Sequence, residues 1–245
     1  YMYCDGISDC PFGDDEALCV NRTLVCPGQL KCRGINNVSI CVSQKYICDG
    51  IIHCHFGDDE DLCSVVCPQN CTCIGHMYVC ENMSLSFVPI NEQKCKSIHF
   101  SRNKLNHIIL GQFFQLLYLD LSWNAIHNIS SFAFLKCSQL LYLDISFNKL
   151  TFFTINAFRG LNNLRTLTLQ GNLLSVLRQK SFLSLAMISS LNLGNNHIEY
   201  SSKFTFLGLL NINFLNLSNN KINFIYPSIF KDLNQLHFVL IDFEE

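Results

Sequence analysis

An asparagine recurs along most of the chain at Asn103, Asn124, Asn148, Asn172, Asn196 and Asn220, with spacings of 21 and then 24 residues four times over. Each closes a unit of the form Leu-x-x-Leu-x-Leu-x-x-Asn, given in full by Leu116, Leu119, Leu121 and Asn124. Ten residues past five of these asparagines stands a phenylalanine: Phe134, Phe158, Phe182, Phe206 and Phe230. So short a unit cannot bury its apolar face alone, so neighbouring units must stack and share one continuous core. In LYLDLS, residues 117–122, the alternation predicts a short strand with Leu119 and Leu121 facing inward and Tyr118 and Asp120 outward. The asparagine supplies a donor and an acceptor to backbone groups left open where each turn leaves its strand, which no apolar side chain could do. The phenylalanines are expected to form a spine through the core.

This pattern resembles the leucine-rich repeat, whose period is about 20–29 residues. The expected fold is an α/β-type leucine-rich-repeat solenoid, a curved parallel sheet with few helices, over residues 96–245. It holds six repeats and a truncated seventh that begins with Leu236, Val239 and Ile241. Cys95 occupies a first-Leu position, and Cys137 stands where a Leu follows the phenylalanine by three. Both read as buried, Leu-like thiols. They lie in different repeats, so a bond between them is not expected.

Of 15 cysteines, all but Cys137 fall in residues 4–95. Such density in a small segment reads as a disulfide framework made in an oxidising compartment. Six Asn-x-Ser/Thr sequons agree with an extracellular location: Asn21, Asn37, Asn70, Asn82, Asn128 and Asn216.

An acidic cassette occurs twice. Residues 4–19 read CDGISDCPFGDDEALC and residues 48–63 read CDGIIHCHFGDDEDLC. Carboxylates crowded into a cross-linked loop repel one another, and a hard cation such as calcium relieves that repulsion. Both cassettes resemble the C-terminal half of an LDL-receptor class A module, complete in the second copy (residues 26–63) and halved in the first (residues 1–19). The resemblance implies the disulfides Cys26–Cys41, Cys32–Cys54 and Cys48–Cys63, and Cys4–Cys19 in the first copy, where Cys10 is left over. It also implies calcium held by Asp5, Asp9, Asp15 and Glu16 in the first copy. In the second, Asp49, Asp59 and Glu60 would serve with the backbone carbonyls of Tyr46 and Ile51. His53 stands where the family has an acidic ligand. An imidazole is a poor ligand for calcium, so weaker or altered binding is expected there.

Residues 67–80, CPQNCTCIGHMYVC, follow after three linker residues. With SLSFVPI behind them they resemble the N-terminal cysteine cap of extracellular leucine-rich-repeat proteins, over residues 67–95. That resemblance implies Cys67–Cys73 and Cys71–Cys80. A repeat array needs such a cap because its first unit would otherwise expose the core.

The 17 basic and 19 acidic residues leave a net charge of −2, which supplies no basic patch for nucleic acid. Although 49% of residues are hydrophobic, no stretch approaches the roughly 18 consecutive apolar residues of a membrane span. The chain opens at Tyr1 without a signal-peptide pattern and stops within a repeat, so it reads as a piece of a longer protein. None of the 8 histidines sits in a nucleophile motif, and no phosphate loop is present, so no enzyme is expected. Binding is expected on the concave strand face. Its outward positions include His99, Ser101 and Arg102, then Tyr118, Asp120, Ser122 and Trp123, then Tyr142, Asp144, Ser146 and Phe147. Tyr118, Asp120, Trp123, Tyr142, Asp144 and Phe147 form an aromatic and acidic patch suited to a basic, amphipathic peptide. A glycan on Asn216 would restrict the far end of that face.

The order of class A modules, cysteine cap and leucine-rich repeats resembles the ectodomain of leucine-rich-repeat G-protein-coupled receptors. Relaxin-family receptors are of this kind, and invertebrate multi-module receptors are the closer match. Relaxin receptors carry a single class A module and a longer linker. The resemblance implies a peptide or protein hormone on the repeats, a seven-helix membrane domain of the same protein and a G protein coupled through it. It places the chain on the extracellular side of the cell membrane. The alternative is an adhesion or scavenger protein that grips a partner's lysine through Asp49, Asp59 and Glu60.

Overall fold

The computed structural model describes residues 26, 29–33, 39–47, 51–59, 67–74, 76–89, 95–110 and 113–242. The chain forms two compact units, Tyr1–Cys67 with Cys73–His76, and Pro68–Thr72 with Met77–Glu245.

In the first unit, β1 (Gln29–Cys32) pairs antiparallel with β2 (Ile40–Ser43), and a 3-10 turn follows at Gln44–Tyr46. Among its described residues the buried core is Cys32, Val42 and Cys54, with Leu30 and Ile40 packed against it. In so short a segment cross-links carry much of the stability. Disulfides join Cys26 to Cys41, Cys32 to Cys54 and Cys67 to Cys73. The expected pairs Cys4–Cys19 and Cys48–Cys63 lie outside the described residues, as do Cys10, Asn21 and Asn37.

The second unit is the solenoid. β3 (Thr72–Ile74) is divided between the two units, β4 (Met77–Val79) opens the solenoid, and a disulfide joins Cys71 to Cys80. Then come β5 (Ser97–His99), β6 (Tyr118–Asp120), β7 (Tyr142–Asp144), β8 (Thr166–Thr168), β9 (Val176–Leu177), β10 (Ser190–Asn192), β11 (Tyr200–Ser201), β12 (Phe214–Asn216) and β13 (Phe238–Leu240). One nine-stranded sheet runs in the order β13-β12-β10-β8-β7-β6-β5-β4-β3, and from β4 to β13 each neighbour is parallel. β9 and β11 form a separate parallel pair. No α-helix occurs among the described residues, and a second 3-10 turn spans Pro227–Phe230.

The strands of the nine-stranded sheet are three residues long, and from β5 to β12 a ladder asparagine stands four residues past the end of each to tie down the turn that follows. All six ladder asparagines are buried. Asn148 shows the pattern. Its Nδ2 donates to the carbonyls of Leu121, Ile145 and Ser146, and its Oδ1 accepts the N–H of Ile126 at 3.0 Å. Two of these partners, Leu121 and Ile126, belong to the preceding repeat. The same reach backwards recurs from Asn103 to Asn220.

The phenylalanines stack in sequence, with centroids 6.4, 6.1, 6.0 and 6.4 Å apart from Phe134 to Phe230. Burying each contributes about 2–3 kcal/mol. The same ten-residue offset from Asn103 reaches a sixth, Phe113, which is fully buried. In this short repeat Leu116 serves both as the residue three past Phe113 and as the first Leu of the next unit. In the next repeat those roles fall to Cys137 and Leu140. Cys95 and Cys137 are both buried, and burial pushes the Cys137 thiol up to about 12.

One expectation is corrected. Ser101, Ser122 and Ser146, read as outward, are buried. The chain has already left the strand there, and Asp120 and Asp144 fold over the N–H groups of Ser122 and Ser146 at 2.8 and 2.7 Å.

Candidate ligand-binding face

Parallel register lines up the strand residues that flank each buried centre. One row runs Ser97, Tyr118, Tyr142, Thr166, Ser190, Phe214; the other runs His99, Asp120, Asp144, Thr168, Asn192, Asn216. The character of the face therefore changes along the array, from aromatic and acidic at the capped end to hydroxyl and amide beyond.

Three ring contacts gather at the acidic end. His99 stacks on Tyr118 at 4.7 Å, Tyr118 on Tyr142 at 4.6 Å with planes 2° apart, and Trp123 on Phe147 at 4.3 Å. Tyr118 and Tyr142 thus share one stack, Trp123 and Phe147 a second, and Asp120 and Asp144 are register neighbours. Trp123 is 52% exposed and Phe147 36%, so the second stack offers its surface to solvent.

The residue before every ladder asparagine adopts a left-handed backbone: Arg102, Trp123, Phe147, Gly171, Asn195 and Asn219 have φ between 52° and 67°. Glycine and asparagine suit that conformation, whereas a bulky side chain is strained in it by roughly 1–2 kcal/mol. Trp123 and Phe147 are held there because their N–H groups donate to Ser146 and Gln170 of the following repeat. The aromatic stack ends at Gly171, where a Cβ would fall 2.5 Å from the Phe147 ring. Residue identity alone does not reveal this row.

Asp120 and Asp144 each spend Oδ1 on the backbone two residues on. Asn192 and Asn216 do the same for Gly194 and Ser218, so a carboxylate is not needed for the turn. Burial raises the Asp144 carboxyl above the usual carboxylate range, against the Ser146 hydrogen bonds that lower it and with the nearby Asp120 charge adding to the rise. Burial, followed by the neighbouring carboxylates, pushes Tyr118 and Tyr142 upward, so both phenols stay protonated. Burial also lowers His99, outweighing Asp120 and Glu81, and keeps its imidazole neutral near pH 7. Glu81 lies 3.9 Å from His99 and was not anticipated, because the cap and the short first repeat fall outside the 24-residue register.

The family-implied calcium ligands fall in the first unit. Asp59 is only 1% exposed and its Oδ2 accepts the backbone N–H of His53. A buried carboxylate of this kind fits cation ligation. The His53 ring packs on Tyr46 at 4.6 Å and offers no oxygen. Asp58 is engaged by Arg33. Asp49, Glu60 and the whole first-copy set, Asp5, Asp9, Asp15 and Glu16, lie outside the described residues. Of the sequons, Asn70 and Asn82 are exposed, whereas Asn128 and Asn216 are half-buried. Oδ1 of Asn216 accepts both the N–H and the hydroxyl of Ser218.

The repeats match known families. Residues 114–174 and 152–198 match the Leucine rich repeat family, and residues 211–233 match a second Leucine Rich Repeat family. The chain is thus a leucine-rich-repeat solenoid preceded by disulfide-linked segments. No curated protein is matched by the chain. Among solved structures it is similar to the one titled "Crystal structure of TLR13-ssRNA13 complex", at 23% identity and a TM-score of 0.48. That match covers 61% of this chain and 26% of the other.

Proposed function

We propose that the chain is part of the extracellular region of a G-protein-coupled receptor and binds a basic peptide or protein hormone on its concave face. The carrying observation is the paired aromatic stacks, Tyr118 on Tyr142 and Trp123 on Phe147, beside Asp120 and Asp144. Exposed aromatics held against their local backbone preference suit use by a ligand rather than by the fold. Oδ2 of Asp120, and Oδ2 of Asp144, which the Tyr142 hydroxyl also approaches at 3.4 Å, suit a guanidinium or ammonium group. Calcium bound by the class A module, through Asp49, Asp59 and Glu60, assists activation of a seven-helix membrane domain. The burial of Asp59 suits an ion at that carboxylate.

Trp123 is the sole tryptophan, so its fluorescence reports on this face alone. A panel of Arg-rich amphipathic peptides should change that fluorescence saturably. The pair Asp120→Asn with Asp144→Asn should weaken binding on the order of a hundredfold. Unchanged affinity in that double variant would overturn the reading. Receptor class is tested separately by the protein's remaining sequence, where seven apolar spans of about 20 residues are expected.

A further inference from the structure

Glu81, His99 and Asp120 converge at the capped end of the concave face, with one ligand atom of each lying within 4.8 Å of the others. His99 and Asp120 are register neighbours on β5 and β6, and Glu81 follows β4 by two residues. The histidine is already positioned. Its ring stacks on Tyr118, and its Nε2 is held by the Ser97 hydroxyl at 3.1 Å, while Nδ1 lies 3.9 Å from Glu81 Oε1. Asp120 commits Oδ1 to Ser122, leaving Oδ2 for a ligand. Donors around a tetrahedral zinc ion, bound at about 2.0–2.2 Å, stand roughly 3.3 Å apart. The Glu81 side chain is 45% exposed and supplies the closing movement by a change of rotamer.

The geometry points to a zinc(II) site made by Glu81, His99 and Asp120. One imidazole with two carboxylates suits a borderline transition metal, and three ligands do not meet calcium's need for six to eight oxygens. The Ser97 hydroxyl fixes the imidazole from outside the coordination sphere, as metal-bound histidines generally require. Three protein ligands leave one position open on the face, for water or for a donor on an incoming molecule. This site shares only Asp120 with the peptide reading.

The test is calorimetric titration of zinc into the full chain, in buffer holding excess calcium to occupy hard-cation sites. One binding event is expected to vanish in His99→Ala and to weaken about tenfold in Ser97→Ala, while His237→Ala, an exposed histidine of the last repeat, leaves it unchanged. Cobalt(II) in place of zinc should give visible d–d bands that His99→Ala removes. If His99→Ala alters the circular dichroism spectrum, Glu81→Gln, on an exposed side chain, takes its place and should lose the same event. Isotherms that match between the wild type and these variants, or wild-type binding no tighter than millimolar, overturn the site. Because the probe is the metal alone, such a result leaves peptide binding standing. A wild type that binds zinc but no peptide in turn overturns the peptide reading and leaves this site standing.

Discussion

Trp123 and Phe147 occupy positions where the same fold elsewhere uses Gly171, Asn195 and Asn219. The strain of roughly 1–2 kcal/mol at each is opposed by a ring stack of about 0.5–1.5 kcal/mol and by partial burial. These nearly cancel, so Trp123→Asn is expected to change stability in urea by less than about 1 kcal/mol. A buried spine residue behaves differently, and Phe134→Ala should cost about 3–5 kcal/mol. Peptide binding in Trp123→Asn should nevertheless fall at least tenfold, measured by anisotropy of a labelled peptide. Asp144 has a raised folded-state pKa, so the folded protein holds that proton more tightly than the unfolded chain does. Its ionisation therefore opposes folding, and the opposition grows as pH rises from the unfolded value of 3.8 through the folded one. Asp144→Asn keeps the acceptor for Ser146, as Asn192 does for Gly194. The variant should be more stable than the parent at pH 7. That gain should disappear on acidification below the carboxylate range, as read from melting temperatures across a pH series.

Each repeat is held to the one before it by its asparagine, and Asn148→Ala removes donors from three buried carbonyls and an acceptor from a buried N–H. Unsatisfied buried groups cost about 1–3 kcal/mol each, partly relieved by relaxation. A loss of about 3 kcal/mol in denaturant unfolding is expected, with hydrogen exchange accelerated first in residues 121–126 of the preceding repeat. This ladder was legible in the sequence because no other residue at a fixed period would do its work. The spine was nearly so. Phe113 obeys the same offset but was hidden by a repeat three residues short, in which Leu116 carries two roles. The left-handed row was illegible because Arg102, Trp123 and Phe147 give no signal of positive φ, although Gly171, Asn195 and Asn219 do. The Glu81, His99 and Asp120 cluster was hidden too, since its members come from the cap and two repeats of unequal register.

Two compact units with different sources of stability should unfold separately. The first has, among its described residues, a core of a few side chains and three internal cross-links, Cys26–Cys41, Cys32–Cys54 and Cys67–Cys73. Calcium added to metal-free protein at about a hundredfold excess over its Kd should stabilise that unit by about 2.7 kcal/mol. Scanning calorimetry should show only its transition moving, while that of the solenoid stays fixed. The solenoid is stabilised instead by a core continuous from Ile98 to Leu233 and by the ladder. Every rung of that ladder points toward the N-terminus: the Ile126 N–H waits for Asn148, Leu150 for Asn172, Leu174 for Asn196 and Ile198 for Asn220. A ribosome makes the waiting group first and its partner 22 residues later. The growing end of the nascent chain is thus always one rung short, and each newly emerged asparagine seals the turn synthesised before it.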